Sequence, residues 1–280
     1  MPLFPRSDGD LIRDVAPVRA IMPFLMPGRT ESFVLHEMTV DLGRTLPALA
    51  AFNAGRPPDA PKATLFQLVL HALANTLHER PGLNRFVVGG RFYQRRGVWL
   101  SFAAKKSMNE GAPLLTVKLD FPADASFEET VARVGGGVGA GRTGPPRAVD
   151  TETRVLTSLP GFLLRFVFAA GRLLHRWNLM PRAMIATDPM FTSCFVANLG
   201  SLGIDRTYHH CFEWGTSHLF CVVGRVKKHI FIEGETPVVR DAVQLFFTFD
   251  ERANDGFYCM KALDRLRERL EQAEGLGDVD

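Results

Sequence analysis

The sequence predicts an α+β domain in which a mixed β-sheet is covered by helices. Strand-like runs alternate with segments of helical periodicity, and no internal repeat interrupts them. The composition, with 46% hydrophobic and 22% charged residues, is that of an ordinary globular protein. A chain of 280 residues is long enough to bury a substantial core without disulfide or metal staples. We therefore expect a single domain over residues 1–280.

The predicted sheet rests on runs rich in Val, Phe, Leu and Thr, several of which alternate between apolar and polar positions. These runs are Ser32–Leu42, Val98–Ala104, Leu114–Leu119, Ser193–Ala197, Leu219–Arg225 and Val243–Phe249. Gly89-Gly90, between two apolar runs, predicts a hairpin turn.

Helical periodicity of apolar residues marks the covering layer. One helix is predicted over Thr64–Glu79 and another over Phe257–Gln272. Ser126 and Glu129 form the S-x-x-E pattern of a capping box, which predicts a short helix from there through Val134. Strands interleaved with such helices favour a mixed sheet.

A glycine-rich run follows the short helix. Gly139-x-Gly141-x-x-Gly144 matches a dinucleotide-binding string, but it follows a helix instead of a strand. Pro145-Pro146 would also prevent the helix whose N-terminus holds a pyrophosphate. We therefore predict a flexible Gly/Pro loop over residues 135–150.

Residues 157–184 form the most apolar stretch of the chain, and we expect them to be a helical insertion. A membrane-spanning helix needs ~20 nearly uncharged residues, whereas Arg165, Arg172 and Arg176 lie within this stretch. Two interpretations remain: a helix packed on its own protein or on a neighbouring subunit, or membrane-surface contact through residues 160–180. The broad apolar face of the helix contains Leu163, Phe166, Val167, Ala170, Leu173, Leu174 and Trp177.

Charge and cysteine content exclude several classes of function. The net charge of +3 is spread along the chain and gives no footprint for nucleic acid. The cysteines have no C-x-x-C spacing and no secretory signal opens the chain, which together favour reduced thiols in a cytoplasmic protein. His209, His210, Glu251 and Asp255 have metal-ligand chemistry but no recognisable spacing, so no metal site is expected.

Two C-terminal segments carry a specific resemblance. Residues 192–203 read TSCFVANLGSLG and residues 249–257 read FDERANDGF. They resemble the motifs G-T-F-T-I-S-N-L-G and D-H-R-x-x-D-G in the catalytic domain of the dihydrolipoyl acyltransferase component of 2-oxo acid dehydrogenase complexes. The resemblance to chloramphenicol acetyltransferase is more remote. Weaker matches are Val18-Arg19-Ala20-Ile21, Val40-Asp41-Leu42 and Lys62-Ala63-Thr64.

The resemblance implies a divergent, stand-alone member of this superfamily. The implied fold is the chloramphenicol acetyltransferase-like mixed sheet, and the implied assembly is a homotrimer or higher oligomer with active sites between subunits. The implied chemistry is acyl transfer between coenzyme A and a thiol or hydroxyl, so that coenzyme A or acyl-coenzyme A would be a substrate and no cofactor would be bound covalently.

The two positions that carry the family's chemistry differ in this chain. The resemblance places Glu251 at the general-base histidine and Ala197 at the serine that donates to the oxyanion. An oxyanion donor is worth ~3 to 4 kcal/mol of transition-state stabilisation, which an alanine side chain cannot supply. The family residues that remain have structural roles: Asp255 and Gly256 in the second motif, and Asn198 and Gly200, which shape the turn after the first.

Three functional hypotheses follow. The first is a catalytically impaired oligomeric scaffold or regulator. The second is an active coenzyme A-dependent acyltransferase that uses His209 or His210 with Glu251 on a hydrophobic acceptor, with Ser193 or Ser201 as the oxyanion donor. The third is a peripheral membrane-associated protein.

Arg19 and Asp255 form a separate structural candidate. In chloramphenicol acetyltransferase the aspartate of the second motif pairs with an arginine elsewhere in the chain, and Arg19 is the counterpart that the resemblance implies. A buried pair of this kind would hold the motif loop in place. The alternative is a surface Arg19 without a partner.

Overall fold

The computed structural model describes residues 4–105, 114–143 and 154–277. The strands are β1 (Gly9–Leu11), β2 (Phe33–Asp41), β3 (Arg85–Val88), β4 (Arg91–Arg95), β5 (Trp99–Lys105), β6 (Leu114–Asp120), β7 (Cys194–Asn198), β8 (Leu219–Val223), β9 (Lys227–Glu233) and β10 (Thr236–Asp250). The helices are α1 (Pro17–Leu25), α2 (Thr45–Ala54), α3 (Leu65–Glu79), α4 (Phe127–Thr143), α5 (Gly161–Arg176), α6 (Arg182–Thr187) and α7 (Gly256–Glu271). The predicted α+β class is confirmed.

The larger sheet has the order β2-β10-β8-β7-β5-β6, and β9 pairs with the first half of β10. It is mixed, because β7 runs parallel to both of its neighbours, β5 and β8, whereas the other pairs are antiparallel. A smaller sheet has the order β1-β4-β3.

The central strands of the larger sheet are buried on both faces. Cys194 and Val196 of β7 belong to the main core, which lies between the sheet and helices α3 and α7. Phe195 and Ala197, which alternate with them, belong to a second apolar cluster on the opposite face. Because side chains alternate along a strand, successive residues of β7 therefore lie in different apolar layers.

Helices α3 and α4 begin where the sequence predicts, whereas α1, α2 and α6 were not predicted. Thr64 and Gln67 form a reciprocal capping box at the start of α3. Ser126 and Glu129 form the predicted box before α4. The predicted hairpin between β3 and β4 is also present, and its turn residues Gly89 and Gly90 have φ values of 57° and 74°, which other residues rarely adopt.

The prediction of a flexible loop over residues 135–150 is wrong for residues 135–143, which continue helix α4 to Thr143. Glycine disfavours helix by about 1 kcal/mol per residue, but packing outweighs this cost. Val131 and Val134 are buried beneath the helix. A side chain at Gly137 would lie 3.2 Å from atoms of Leu119 and Val117 in β6, so glycine allows the close approach. Residues 144–150 lie outside the described residues.

The predicted helix in the apolar stretch is present as α5, but the described residues do not cover its apolar face. No residue of α5 is buried. Phe162 and Phe166 are 76% and 69% exposed. Among the described residues, no helix combines the length and the apolar character needed to cross a bilayer.

Candidate functional site

The second sequence motif forms a loop, here called the motif loop (Asp250–Asp255), at the junction of β10 and α7. Asp250 ends β10 and is 2% exposed. Its carboxylate accepts hydrogen bonds from Nε and Nη2 of Arg252 at 2.8 and 2.7 Å, and from the hydroxyl of Ser32 at 2.9 Å. Nη1 of Arg252 donates to the carbonyls of Met26 and Pro27 at 3.0 and 2.9 Å. The loop is therefore tied to the segment between α1 and β2.

The electrostatics of this pair follow from its partners. Burial alone would raise the pKa of Asp250, but the hydrogen bonds and charge of Arg252, with Arg29 and Ser32, outweigh it and hold the pKa below its ordinary value. Arg29 is also buried, with its Nε 3.9 Å from Asp250. Its Nη atoms donate to the carbonyls of Phe212 and Gly215 at 2.6 and 2.8 Å. One carboxylate thus balances two buried guanidinium groups.

Arg19 does not pair with Asp255, and that prediction is wrong. Its guanidinium instead donates to the carbonyls of Glu251 and Arg252, the latter at 3.0 Å. Asp255 is the N-cap of α7, and its Oδ1 accepts a hydrogen bond from the backbone N–H of Tyr258 at 2.8 Å. The Asp255 carboxylate therefore caps the N-terminus of α7, because the first backbone amides of a helix need acceptors. Arg19 still anchors the motif loop, but through backbone oxygens.

Glu251 has a fixed backbone and an unengaged side chain. Its N–H donates to the carbonyl of Ser32 at 2.9 Å, and its carbonyl accepts from Arg19. The side chain is half-buried. Among the described residues, no hydrogen bond or ion pair holds its carboxylate.

Ala197 is buried in β7, where it faces Ala103 of β5 and Val222 of β8 across the sheet. Its cluster also contains Phe195, Phe220 and Phe246, so its immediate surroundings are apolar. No side chain at this position donates a hydrogen bond. The methyl group fills a place in the second apolar layer.

The turn after β7 is built by the residues that follow Ala197. Oδ1 of Asn198 accepts from the N–H of Ser201 at 3.3 Å, and the hydroxyl of Ser201 donates to the carbonyl of Asn198 at 2.8 Å. A Cβ at Gly200 would lie 2.2 Å from the carbonyl oxygen of Gly224, which only glycine avoids. Gly256 is the first residue of α7. These contacts are structural.

His209 and His210 lie on the same face of the sheet as Ala197. The His209 ring stacks on Phe220 with centroids 4.1 Å apart, and its Nδ1 donates to the carbonyl of His210 at 2.8 Å. The two imidazoles stack on each other at 4.7 Å. Within the described part of the chain, no hydrogen bond or ion pair joins either ring to Glu251. The structure does not form the proposed His–Glu pair.

The two serines suggested as oxyanion donors are occupied elsewhere. The hydroxyl oxygen of Ser193 accepts a hydrogen bond from the N–H of Trp99 at 3.0 Å, and Ser193 is fully buried. Ser201 closes the turn with Asn198. Neither hydroxyl substitutes for the residue replaced by Ala197 in this arrangement.

Buried polar groups near the motif loop were missed by sequence reasoning. His218 is 2% exposed, and its Nε2 donates to the carbonyl of Leu83 at 2.5 Å. Burial, assisted by the positive charge of Arg95, lowers the pKa of His218 to about 4. Only the D-x-R spacing of Asp250 and Arg252 at the end of a strand-like run could have signalled the buried ion pair. Nothing in the sequence marks His218 as buried.

Cysteine and metal chemistry find no support in the described residues. Cys194, Cys211, Cys221 and Cys259 are buried and unpaired. Burial raises the pKa of the Cys211 thiol to about 12, which disfavours the nucleophilic thiolate. No group of three His, Cys, Asp or Glu side chains in the described residues could hold a metal ion.

Comparison with known proteins identifies the fold. No family model and no curated protein matches the chain. Among solved structures, a probable dihydrolipoamide acetyltransferase from Listeria monocytogenes aligns with a TM-score of 0.62 at 17% identity, covering 94% of this chain and 95% of that one. Dihydrolipoamide acetyltransferase from Azotobacter vinelandii aligns with the same TM-score at 16% identity, covering 99% of both chains.

A chloramphenicol acetyltransferase aligns with a TM-score of 0.56 at 13% identity, covering 95% of this chain and 99% of that one. These identities establish the architecture and leave the activity open. The chain therefore has the acyltransferase fold that dihydrolipoamide acetyltransferase cores and chloramphenicol acetyltransferase share.

Proposed function

We propose that this protein is a catalytically impaired acyltransferase-fold protein that acts as an oligomeric scaffold or regulator. One observation carries the proposal: the positions that the resemblance assigns to the base and the oxyanion donor are an unengaged carboxylate, Glu251, and a buried methyl group, Ala197. The Azotobacter enzyme, by contrast, has been investigated for the roles of a serine, a histidine and an asparagine in its catalytic mechanism.

Both replacements weaken acyl transfer for physical reasons. A carboxylate is a poorer general base towards a thiol than an imidazole, because its proton affinity is further from that of the thiolate. A methyl group offers nothing to a tetrahedral oxyanion, and loss of such a donor costs about 100- to 1000-fold in rate. The imidazoles of His209 and His210 are the substitutes that the sequence suggests, but they stack on each other, His209 also stacks on Phe220, and neither forms a hydrogen bond with Glu251 among the described residues.

An oligomeric role is supported by apolar side chains left uncovered at an edge of the larger sheet. β2 is an edge strand, and it exposes Phe33 and Leu35. The β9–β10 hairpin exposes Ile230, Ile232 and Val239. One neighbour of the same fold is the cubic core of the pyruvate dehydrogenase multienzyme complex, with a TM-score of 0.62 at 15% identity and coverage of 99% of both chains. We therefore propose a homotrimer or a higher oligomer, in the cytoplasm.

Thiol release from acetyl- and longer acyl-coenzyme A tests the catalytic part of the proposal. We expect the unmodified protein to stay at the rate of the buffer blank. The double variant Ala197→Ser/Glu251→His should exceed it by at least tenfold if the rest of the cleft is intact. Glu251→Ala serves as the matched control and should leave the background unchanged. Turnover by the unmodified protein that His209→Ala or His210→Ala abolishes would instead establish an active acyltransferase.

Light scattering coupled to gel filtration tests the assembly. The unmodified protein should elute with the mass of a trimer or a multiple of it. Ile230→Glu/Ile232→Glu should lower that mass, because two charges are placed on an apolar contact. A monomer in the unmodified protein, at concentrations where the related cores assemble, would refute the scaffold.

A further inference from the structure

Helix α5 presents an apolar surface that the described part of the chain leaves open. Beside the helix runs a groove with a volume of about 630 Å³. It is lined by side chains of α5, among them Phe166, Val167 and Leu174, by Met184 of α6, and by Trp214 of the loop before β8. Together with exposed Phe162, these side chains form a larger apolar area than the isolated apolar residues common on soluble proteins.

Helix α1 also exposes large apolar side chains. Val18 and Phe24 are 74% and 71% exposed. The two helices flank one cavity of about 330 Å³, to which α1 contributes Phe24 and α5 contributes Arg172 and Arg176. Both helices therefore border the same cavity at the surface. We call α1, α5 and the cavity between them the docking surface.

The docking surface is positively charged. Helix α5 contains three arginines, Arg165, Arg172 and Arg176, and no aspartate or glutamate. None of these guanidinium groups has a hydrogen bond or ion pair among the described residues. The cavity is further lined by Arg29 and Arg252, which are paired with Asp250, and by Glu213, the one acid among its lining residues. A partner that matches this surface must offer both an apolar region for these side chains and negative charge for the arginines.

We propose that the docking surface binds an anionic lipid bilayer, with the apolar faces of α1 and α5 at the level of the headgroups and upper acyl chains. Amphipathic helices with large apolar side chains and arginine on the polar face lie in membrane interfaces in this way. Trp177, at the end of α5, is 39% exposed, and tryptophan favours the same depth. Unpaired arginines face phosphate headgroups there, and each contributes about fivefold to the affinity for an anionic surface.

A second copy of the chain fits the docking surface less well. Self-association through this face would bring unpaired arginines towards each other, whereas the cores of protein interfaces are depleted of charge. The more neutral apolar edge formed by β2 and the β9–β10 hairpin suits self-association better. The docking surface therefore suits a membrane, and the edge formed by β2 and the β9–β10 hairpin suits a second copy of the chain.

Vesicle flotation tests the proposal with the full chain. Vesicles of phosphatidylcholine mixed with phosphatidylglycerol should carry the protein upward, and vesicles of phosphatidylcholine alone should carry at least tenfold less. Phe162→Glu/Phe166→Glu should abolish flotation, and Arg165→Gln/Arg172→Gln should lower the affinity by about 25-fold and reduce its dependence on salt. Leu202→Glu, at an exposed apolar side chain outside both helices, is the matched control and should float like the unmodified protein.

Each alternative result has a definite meaning. Protein that remains at the bottom with both kinds of vesicle overturns the proposal. So does flotation that Phe162→Glu/Phe166→Glu leaves unchanged. If that variant instead lowers the oligomeric mass, and the unmodified protein does not float, then the occupant of the surface is a second copy. Circular dichroism of each variant confirms that the fold is retained, so that loss of binding reports on the surface.

Discussion

The motif loop and helix α5 differ in where their stability comes from. In the motif loop, Asp250 and Arg252 are buried and satisfy each other, and Arg19 ties the loop carbonyls to α1. In α5 no residue is buried and none of the arginines is paired among the described residues. These contacts do not involve the side chain of residue 251. The described residues leave the apolar face of the helix uncovered.

The largest effect should come from removing the buried carboxylate of the motif loop. Asp250→Ala leaves Arg252 and Arg29 buried without their counter-ion, and we expect a loss of about 3 to 5 kcal/mol in the free energy of unfolding. Urea denaturation measures it. The neighbouring Glu251→Ala, whose carboxylate has no partner, should change stability by less than about 0.5 kcal/mol. Equal losses in the two variants would show that the loop does not depend on this ion pair.

Acidification should lower the free energy of unfolding through His218, which is buried near the motif loop. The pKa of His218 is lowered by burial to about 4 from its ordinary value of 6.5, so the unfolded chain takes up a proton at a higher pH than the folded chain does. Stability present above pH 6.5 should therefore fall as the pH decreases towards 4, by about 3 kcal/mol. Unfolding midpoints at several pH values measure this slope. His218→Gln should make the slope shallower, and the slope that remains is expected from His175, whose pKa burial lowers to about 3. His210→Gln, at an exposed imidazole, should leave the slope unchanged.

A smaller effect is expected where the motif loop meets α7. Asp255→Ala removes the side-chain acceptor at the N-cap and should cost about 1 kcal/mol in thermal or urea unfolding. Asp255→Ser, which retains an N-cap oxygen, should recover most of the loss. If the loss reached that of Asp250→Ala, Asp255 would have to take part in an ion pair such as the one with Arg19 that the structure does not form.

The smallest effect is expected in α5. Phe166→Glu changes a side chain that is 69% exposed and should shift the free energy of unfolding of the isolated chain by less than about 0.5 kcal/mol. Denaturation at low protein concentration measures this. Destabilisation by several kcal/mol would mean that the helix is covered within its own chain or oligomer, and the contrast with the motif loop would disappear.

Local pattern was enough to predict the helices and strands whose faces are apolar with a clear period. It failed in the glycine-rich run of α4, where intrinsic propensity argues against helix and only contact with β6 explains it. Local pattern also failed for the predicted pair of Arg19 and Asp255, because a carboxylate at the start of a helix can either cap the helix or form an ion pair. Whether the helix N-terminus or a distant arginine takes Asp255 depends on loop geometry that spacing does not encode.

The amino-acid sequence by itself determined the α+β class and the succession of the central strands and helices along the chain, since these follow from residue type and short-range period. It also determined that residue 251 is not a histidine and that residue 197 has no hydroxyl. Tertiary structure alone decided that Asp250 is buried with two arginines, that His209 stacks on Phe220, and that the described residues leave the apolar face of α5 uncovered. Those outcomes depend on contacts between segments far apart in the chain, whose geometry is set by packing of the whole domain.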